Sequence, residues 1–162
     1  HNTVLFDDAD NLLDNNSLFS VQKNIELLVK HGHDHEKRWV NWVVKMNEVD
    51  IWERSLNIDL ISTININDKL FSKSSKRAYG LLNLAPKLKL LQGKDGNFSF
   101  KGERSSYTIN IQGADTVEIN NTPFYPNYGV RSQTSCLNWT VELGSGEKEI
   151  QIKIKPFVKN GF

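Results

Sequence analysis

The 162-residue chain predicts an all-β protein, an antiparallel β-sandwich of about ten strands. Three observations carry that expectation. Apolar residues recur at every second position in short runs, as in Val40, Trp42, Val44 and Met46. Clusters of Gly, Asn, Asp and Ser interrupt those runs roughly every 8–12 residues, where the chain must turn. Hardly any stretch carries the three-to-four-residue apolar spacing of a surface helix.

The size fits one domain, residues 1–162, large enough to bury a core. A hydrophobic content of 38% with 24% charged residues is that of a globular chain. The net charge of +1 gives no global electrostatic case for nucleic acid or an anionic membrane as partner. No run approaches the ~18–20 consecutive apolar residues that a membrane-spanning helix needs. The single cysteine, Cys136, excludes an internal disulfide and a cysteine-based zinc site. Beside Leu137, Trp139 and Val141 it reads as a small strand residue rather than a nucleophile.

Taken in order, Thr3 to Phe6 forms a short strand closed by an acidic turn, Asp7 to Asp10. Residues 18–30 fit either a short helix or a strand with a bulge, and the alternation of Phe19, Val21, Ile25, Leu27 and Val29 favours the strand. The run His31-Gly32-His33-Asp34-His35-Glu36 has two readings. Three His at alternate positions beside two carboxylates are metal-ligand chemistry, and on an extended strand the imidazoles share a face. Gly32 and Asp34 equally suit a solvated turn.

Residues 38–46 and 51–66 then alternate as a meander of half-buried strands separated by Asn47-Glu48-Val49-Asp50. Asp68 to Arg77 reads as a solvated Lys/Ser-rich loop. Pro86, in the middle of Leu82, Leu84, Leu88 and Leu90, marks an edge or a break between two strands. Gly93-Lys94-Asp95-Gly96 is a hairpin turn into Phe98 and Phe100. Further strands follow at 107–112 and from Val117. Leu137 to Leu143, a turn at Gly144-Ser145-Gly146-Glu147 and the returning Ile150, Ile152 and Ile154 form the best-patterned hairpin of the chain, with Glu149, Gln151, Lys153 and Lys155 on its opposite face.

Pro123-Phe124-Tyr125-Pro126-Asn127-Tyr128-Gly129-Val130 reads as a rigid connection outside any ladder. Its aromatics either cap the core or stack on sugar rings. With Trp39 and Trp52, Tyr125 and Tyr128 are the candidate carbohydrate contacts, provided that they are exposed and coplanar.

Three elements together resemble the C-terminal β-sandwich of the heparinase II/III-like polysaccharide lyases. They are His1-Asn2-Thr3-Val4 followed by Asp7, the Leu82-Leu84-Ala85-Pro86 element with Leu88 and Leu90, and Phe124-Tyr125-Pro126-Asn127-Tyr128-Gly129-Val130 ahead of the 137–143 strand. The resemblance covers nearly the whole chain. It implies that the chain is part of a longer protein with an upstream α/α toroid, acting on acidic, uronic-acid-containing polysaccharide by β-elimination. It also implies a structural zinc in that parent, with His1 as one ligand. The catalytic groups and the other ligands would lie upstream, so no catalytic residue is expected within 1–162, and this chain requires no cofactor of its own. A degradative parent would be periplasmic or secreted. Two other readings stand beside this one: a carbohydrate-binding or structural β-sandwich without catalysis, and a metal-binding domain centred on His31, His33 and His35.

Overall fold

The computed structural model describes residues 4–6, 26–45, 50–103, 105–127 and 130–157. Twelve strands are found among them: β1 (Val4–Phe6), β2 (Glu26–His33), β3 (Lys37–Lys45), β4 (Asp50–Asp59), β5 (Ile64–Ser72), β6 (Lys76–Asn83), β7 (Lys89–Lys94), β8 (Asn97–Lys101), β9 (Ser106–Gln112), β10 (Thr116–Asn127), β11 (Val130–Leu143) and β12 (Gly146–Phe157). They make a four-stranded sheet in the order β1-β6-β11-β10 and an eight-stranded sheet in the order β2-β3-β4-β5-β12-β9-β8-β7. Every pairing is antiparallel.

The sheets face each other across one core. Leu82, Leu137, Trp139 and Val141 come from the smaller sheet, and Leu70, Phe100, Ile109, Ile150 and Ile152 from the larger. This is the expected all-β sandwich. The larger sheet consists of two meanders, β2 to β5 and β7 to β9, joined by β12, which pairs with β5 on one side and β9 on the other.

That topology corrects the expected hairpin. β11 pairs with β6 and β10, so the connection at Gly144 is an arch between the sheets. Both sheets turn an alternating apolar face to the same interior, so periodicity alone does not separate an arch from a hairpin. The Pro-rich segment is also corrected. β10 stays in the ladder, with Pro123 opposite Gln133 and Phe124 opposite Ser132, and a bulge precedes the pairing of Asn127 with Val130. β10 is an edge strand, which tolerates residues that lack an N–H, and the bulge absorbs the irregularity.

The third correction concerns Asp68 to Arg77. β5 runs on to Ser72 and β6 starts at Lys76, so only residues 73–75 form the loop. Asp68, Ser72 and Lys76 continue the inward face and are buried. Each has a partner. Arg54 grips Asp68 with Nε on Oδ1 and Nη2 on Oδ2, the latter at 2.7 Å, and Trp52 Nε1 donates to Oδ1 at 2.9 Å. The Arg54 guanidinium lies 4.8 Å from the Trp52 ring centroid and 5.7 Å from that of Trp42. At the neighbouring end of the core, Lys76 Nζ donates to Asp50 Oδ2 at 2.9 Å and Ser72 Oγ to Oδ1 at 2.8 Å. This second pair ties β6 to β4 across the two sheets.

Two backbone positions are set by their residues. Trp139 lies opposite Gly80 in the β6–β11 ladder, and a Cβ on Gly80 would sit 2.1 Å from the indole. Asp95 and Gly96, at φ of 50° and 76°, form the tight turn between β7 and β8, as the sequence predicts.

Removing one partner of the buried pair leaves a desolvated charge. Asp68→Ala is expected to cost about 3–5 kcal/mol in urea unfolding, and Arg54→Met combined with Asp68→Leu less than the sum of the single changes. A cost for Asp68→Ala below about 1 kcal/mol would mean that Arg54 escapes to water. Gly80→Val should lower the melting temperature, because the indole of Trp139 has to give way.

Candidate functional site on the outer face of the larger sheet

Of the residues singled out in the sequence that are described, His31, His33 and Trp39 line one open depression of about 490 Å³ beside the β2–β3 edge, and Trp52 lies apart in the core. His1 and Tyr128 lie outside the described residues, and so does the side chain of Tyr125, whose backbone belongs to β10. Trp52 is 6% exposed, with its indole N–H on Asp68, so it is a core residue and offers no surface to a sugar. Its position on the inward parity of β4 is the physical reason. Trp39 is half-buried on the opposite face of β3, lying over Gly32 so closely that a Cβ there would approach its ring to 2.6 Å.

His31 and His33 are exposed at the end of β2, and His35 sits in the bend before β3. Asp34 organises that bend. Its Oδ1 accepts from the backbone N–H groups of Glu36 and Lys37, both at 2.8 Å, and those bonds hold its carboxyl below the usual range. The carboxylate is committed to the turn. His33 faces Arg38 across the ladder, a cation where a metal site needs a donor. Among the described residues no three His, Cys, Asp or Glu side chains come together to hold a metal ion. The zinc that the resemblance implies would be held by His1, which lies outside the described residues, and by ligands further upstream.

What the fold does assemble is a polar surface on the outer face of the eight-stranded sheet. Register places Trp39 beside Asn57, Asn57 beside Asn65 and Asn65 beside Lys153. The same row continues through Asn110 and Asn97 to Lys94 at the far edge. A parallel row runs from Lys155 through Thr108 and Ser99 to Gln92. These residues alternate with the buried Phe98, Ile109, Ile152 and their neighbours, so the pleat turns them outward.

Charge divides this face in two. Toward β4 and β5, Lys69 lies between Glu53 and Glu149, its cross-strand neighbours. Hydrogen bonds from Gln151 and Asn67, with the charge of Lys69, hold the Glu149 carboxyl below its usual range. That part mixes both signs, one lysine between two carboxylates. From β12 to β7 the surface forms a trough of about 440 Å³ whose lining includes Lys94, Lys153 and Lys155 and, among the described residues, no carboxylate. Its floor is short: Asn97, Ser99, Thr108 and Asn110, with Asn110 Nδ2 donating to Asn97 Oδ1 at 2.7 Å. Sequence reading identified Lys153 and Lys155 as an outward face. It missed the trough, because the insertion of β12 between two meanders is not visible in strand periodicity.

A second cavity, of about 430 Å³, opens between the sheets near Pro86 and is walled by Leu82, Leu84, Leu88, Phe100 and Ile154. The polar groups at its rim are already paired. Lys87 Nζ meets Glu103 Oε1 at 2.7 Å, and Ser105 Oγ donates to the Tyr107 hydroxyl. Cys136 is buried, and desolvation pushes its thiol up from the usual value, in agreement with a structural role.

Neither a family profile nor a curated protein sequence matches the chain. Solved structures do. The heparinase III described as the BT4657 gene product superposes with a TM-score of 0.75 at 16% identity, over 97% of this chain and 24% of its own. The heparan sulfate lyase HepC from Pedobacter heparinus superposes with a TM-score of 0.75 at 10% identity, over 100% of this chain and 25% of its own. A further heparinase III gives a TM-score of 0.68 at 11% identity, covering 96% and 23%. The chain thus shares a fold with heparinase chains and spans about a quarter of their length.

Two solution measurements follow from this geometry. Zinc at a hundredfold excess over the Kd of a built site would add about 2.7 kcal/mol of stability. The expected result is no such rise in melting temperature, and a rise abolished by His31→Ala with His33→Ala would reveal a site at the β2–β3 bend. Cys136 is expected to react with iodoacetamide at pH 8 far more slowly than in the urea-unfolded chain, and equal rates would show the thiol to be accessible.

Proposed function

We propose that this chain is the β-sandwich portion of a lyase acting on acidic, uronic-acid-containing polysaccharide, with the catalytic groups carried by a preceding helical toroid. The observation that supports it is the fold, which agrees over nearly the whole chain with heparinase III and heparan sulfate lyase chains. The motifs His1-Asn2-Thr3-Val4 and Phe124-Tyr125-Pro126-Asn127-Tyr128-Gly129-Val130 point the same way.

The chemistry explains the division of labour. β-Elimination next to a uronate needs the carboxylate neutralised, a base for the C5 proton and an acid for the leaving oxygen. A base has to be held in place to act at a defined proton. His31, His33 and His35 are exposed, and none has a hydrogen-bond partner among the described residues. The sandwich instead offers rigidity, from the buried ion pairs, and an outer surface of amides and lysines.

A second reading, a carbohydrate-binding β-sandwich without catalysis, draws on that same outer surface. The two separate on the sequence ahead of His1 and on activity. The isolated chain is expected to give no unsaturated uronate from heparan sulfate, followed by ultraviolet absorbance, whereas the chain joined to its upstream toroid should give it. Product from the isolated chain would overturn the placement of catalysis upstream. An upstream sequence without a helical toroid would overturn the lyase reading itself.

A further inference from the structure

The trough between β12 and β7 has the form of a binding site rather than of an ordinary solvated sheet face. Solvated antiparallel faces are polar, but they usually mix both signs of charge, as this sheet does around Lys69. Here the signs segregate. Lys153 and Lys155 stand on β12, and Lys94 on β7, three strand spacings or about 14 Å away. Lys89 and Lys101 extend the β7 side as a cross-strand pair. All five lysines are exposed. Of these five, only Lys94 forms an ion pair with a described residue, a 3.7 Å contact with the equally exposed Asp95 at the hairpin tip. Like charges directly opposite each other, as at Lys89 and Lys101, destabilise a sheet slightly, and an anion between the rims relieves that repulsion.

The chain as a whole carries a net charge of only +1, so this concentration of lysines is local. Between the rims the floor is made of Asn and of Ser and Thr hydroxyls, which donate to and accept from sugar hydroxyls, carboxylates and sulfates alike. The one aromatic residue among the described lining residues, Phe98, is buried. Nucleobases would thus find no ring to stack on, which separates this surface from single-strand nucleic-acid platforms.

We infer that the trough binds an anionic polysaccharide, with Lys153 and Lys155 on one side and Lys94 on the other contacting its carboxylate or sulfate groups and Asn97 and Asn110 its hydroxyls. The substrate class rests on the lyase reading; the site does not, because it lies on the outer face of the sandwich and needs no catalytic group. It would hold the polymer on the protein between cleavage events.

Binding of fluorescent heparan sulfate and of unsulfated hyaluronan to the full 162-residue chain tests this directly, with dextran as the neutral polymer and single-stranded DNA as the polyphosphate. Expected are binding of the two acidic glycans, none of dextran, and weakening as salt rises. Lys153→Glu with Lys155→Glu should weaken binding by about tenfold or more, and Lys94→Gln by a smaller factor, since exposed contacts are individually weak. Lys73→Glu with Lys148→Glu, outside the trough, should leave it unchanged. An equal loss in that control pair would overturn the site, and so would dextran binding equally well. DNA bound as tightly as heparan sulfate, with the same lysine dependence, would reassign the site to polyphosphate. Product from the toroid-joined chain without lysine-dependent binding would overturn the trough alone. Lysine-dependent glycan binding without product would overturn the lyase reading and leave the trough standing.

Discussion

The Arg54–Asp68 pair constrains everything around it. A carboxylate at 0% exposure is tolerable only when its oxygens are satisfied, and here a guanidinium fork and an indole N–H do so. Those donors come from one strand and the acceptor from the next, in register, with Trp42 on the third strand beneath the cation. A slip of one residue between β4 and β5 would turn Asp68 to the outer face and leave Arg54 buried without its partner. The pair therefore fixes register as well as packing, and the outer rows of amides are aligned because the inner row is.

The two sheets differ in size, and that difference gives the larger one its character. Four strands cannot cover eight, so sequence along the larger sheet has to change from core-facing to solvent-facing demands toward its edges. The apolar residues Leu27, Leu28 and Val29 on edge strand β2 are more than half exposed, whereas Ile150 and Ile152 in mid-sheet are buried. The outer face shows a second change along the sheet. That change is one of charge, from alternating signs beside Lys69 to lysines alone beside Lys153.

Much of the fold was legible in the sequence, because alternation, turn chemistry and the Asp95-Gly96 hairpin are local properties. What resisted reading was relational. Asp68, Ser72 and Lys76 look like a solvated loop until Arg54 and Asp50 are seen across the ladder and the core, and both partners are distant in sequence. Trp52 looks like a sugar contact until its parity is set by the same pair. The arch at Gly144 could not be told from a hairpin, since only the partners of β11 and β12 distinguish the two. The candidate surface failed to show for the same reason: its residues belong to strands that are neighbours in space and far apart along the chain.

The placement of β12 has a consequence for how the molecule comes to exist. The two meanders of the larger sheet are made earlier on the chain, yet neither meets the other until the last described strand slides between β5 and β9. On a growing chain, both would wait with unpaired edges, the arrangement most prone to pairing with a neighbouring molecule. Closure also demands contacts of long sequence separation, which are slow to form. The larger sheet is thus closed by a single insertion that pairs two edges at once, and the same strand brings Lys153 and Lys155 to the outer surface. The surface comes into being at the moment the sheet is complete.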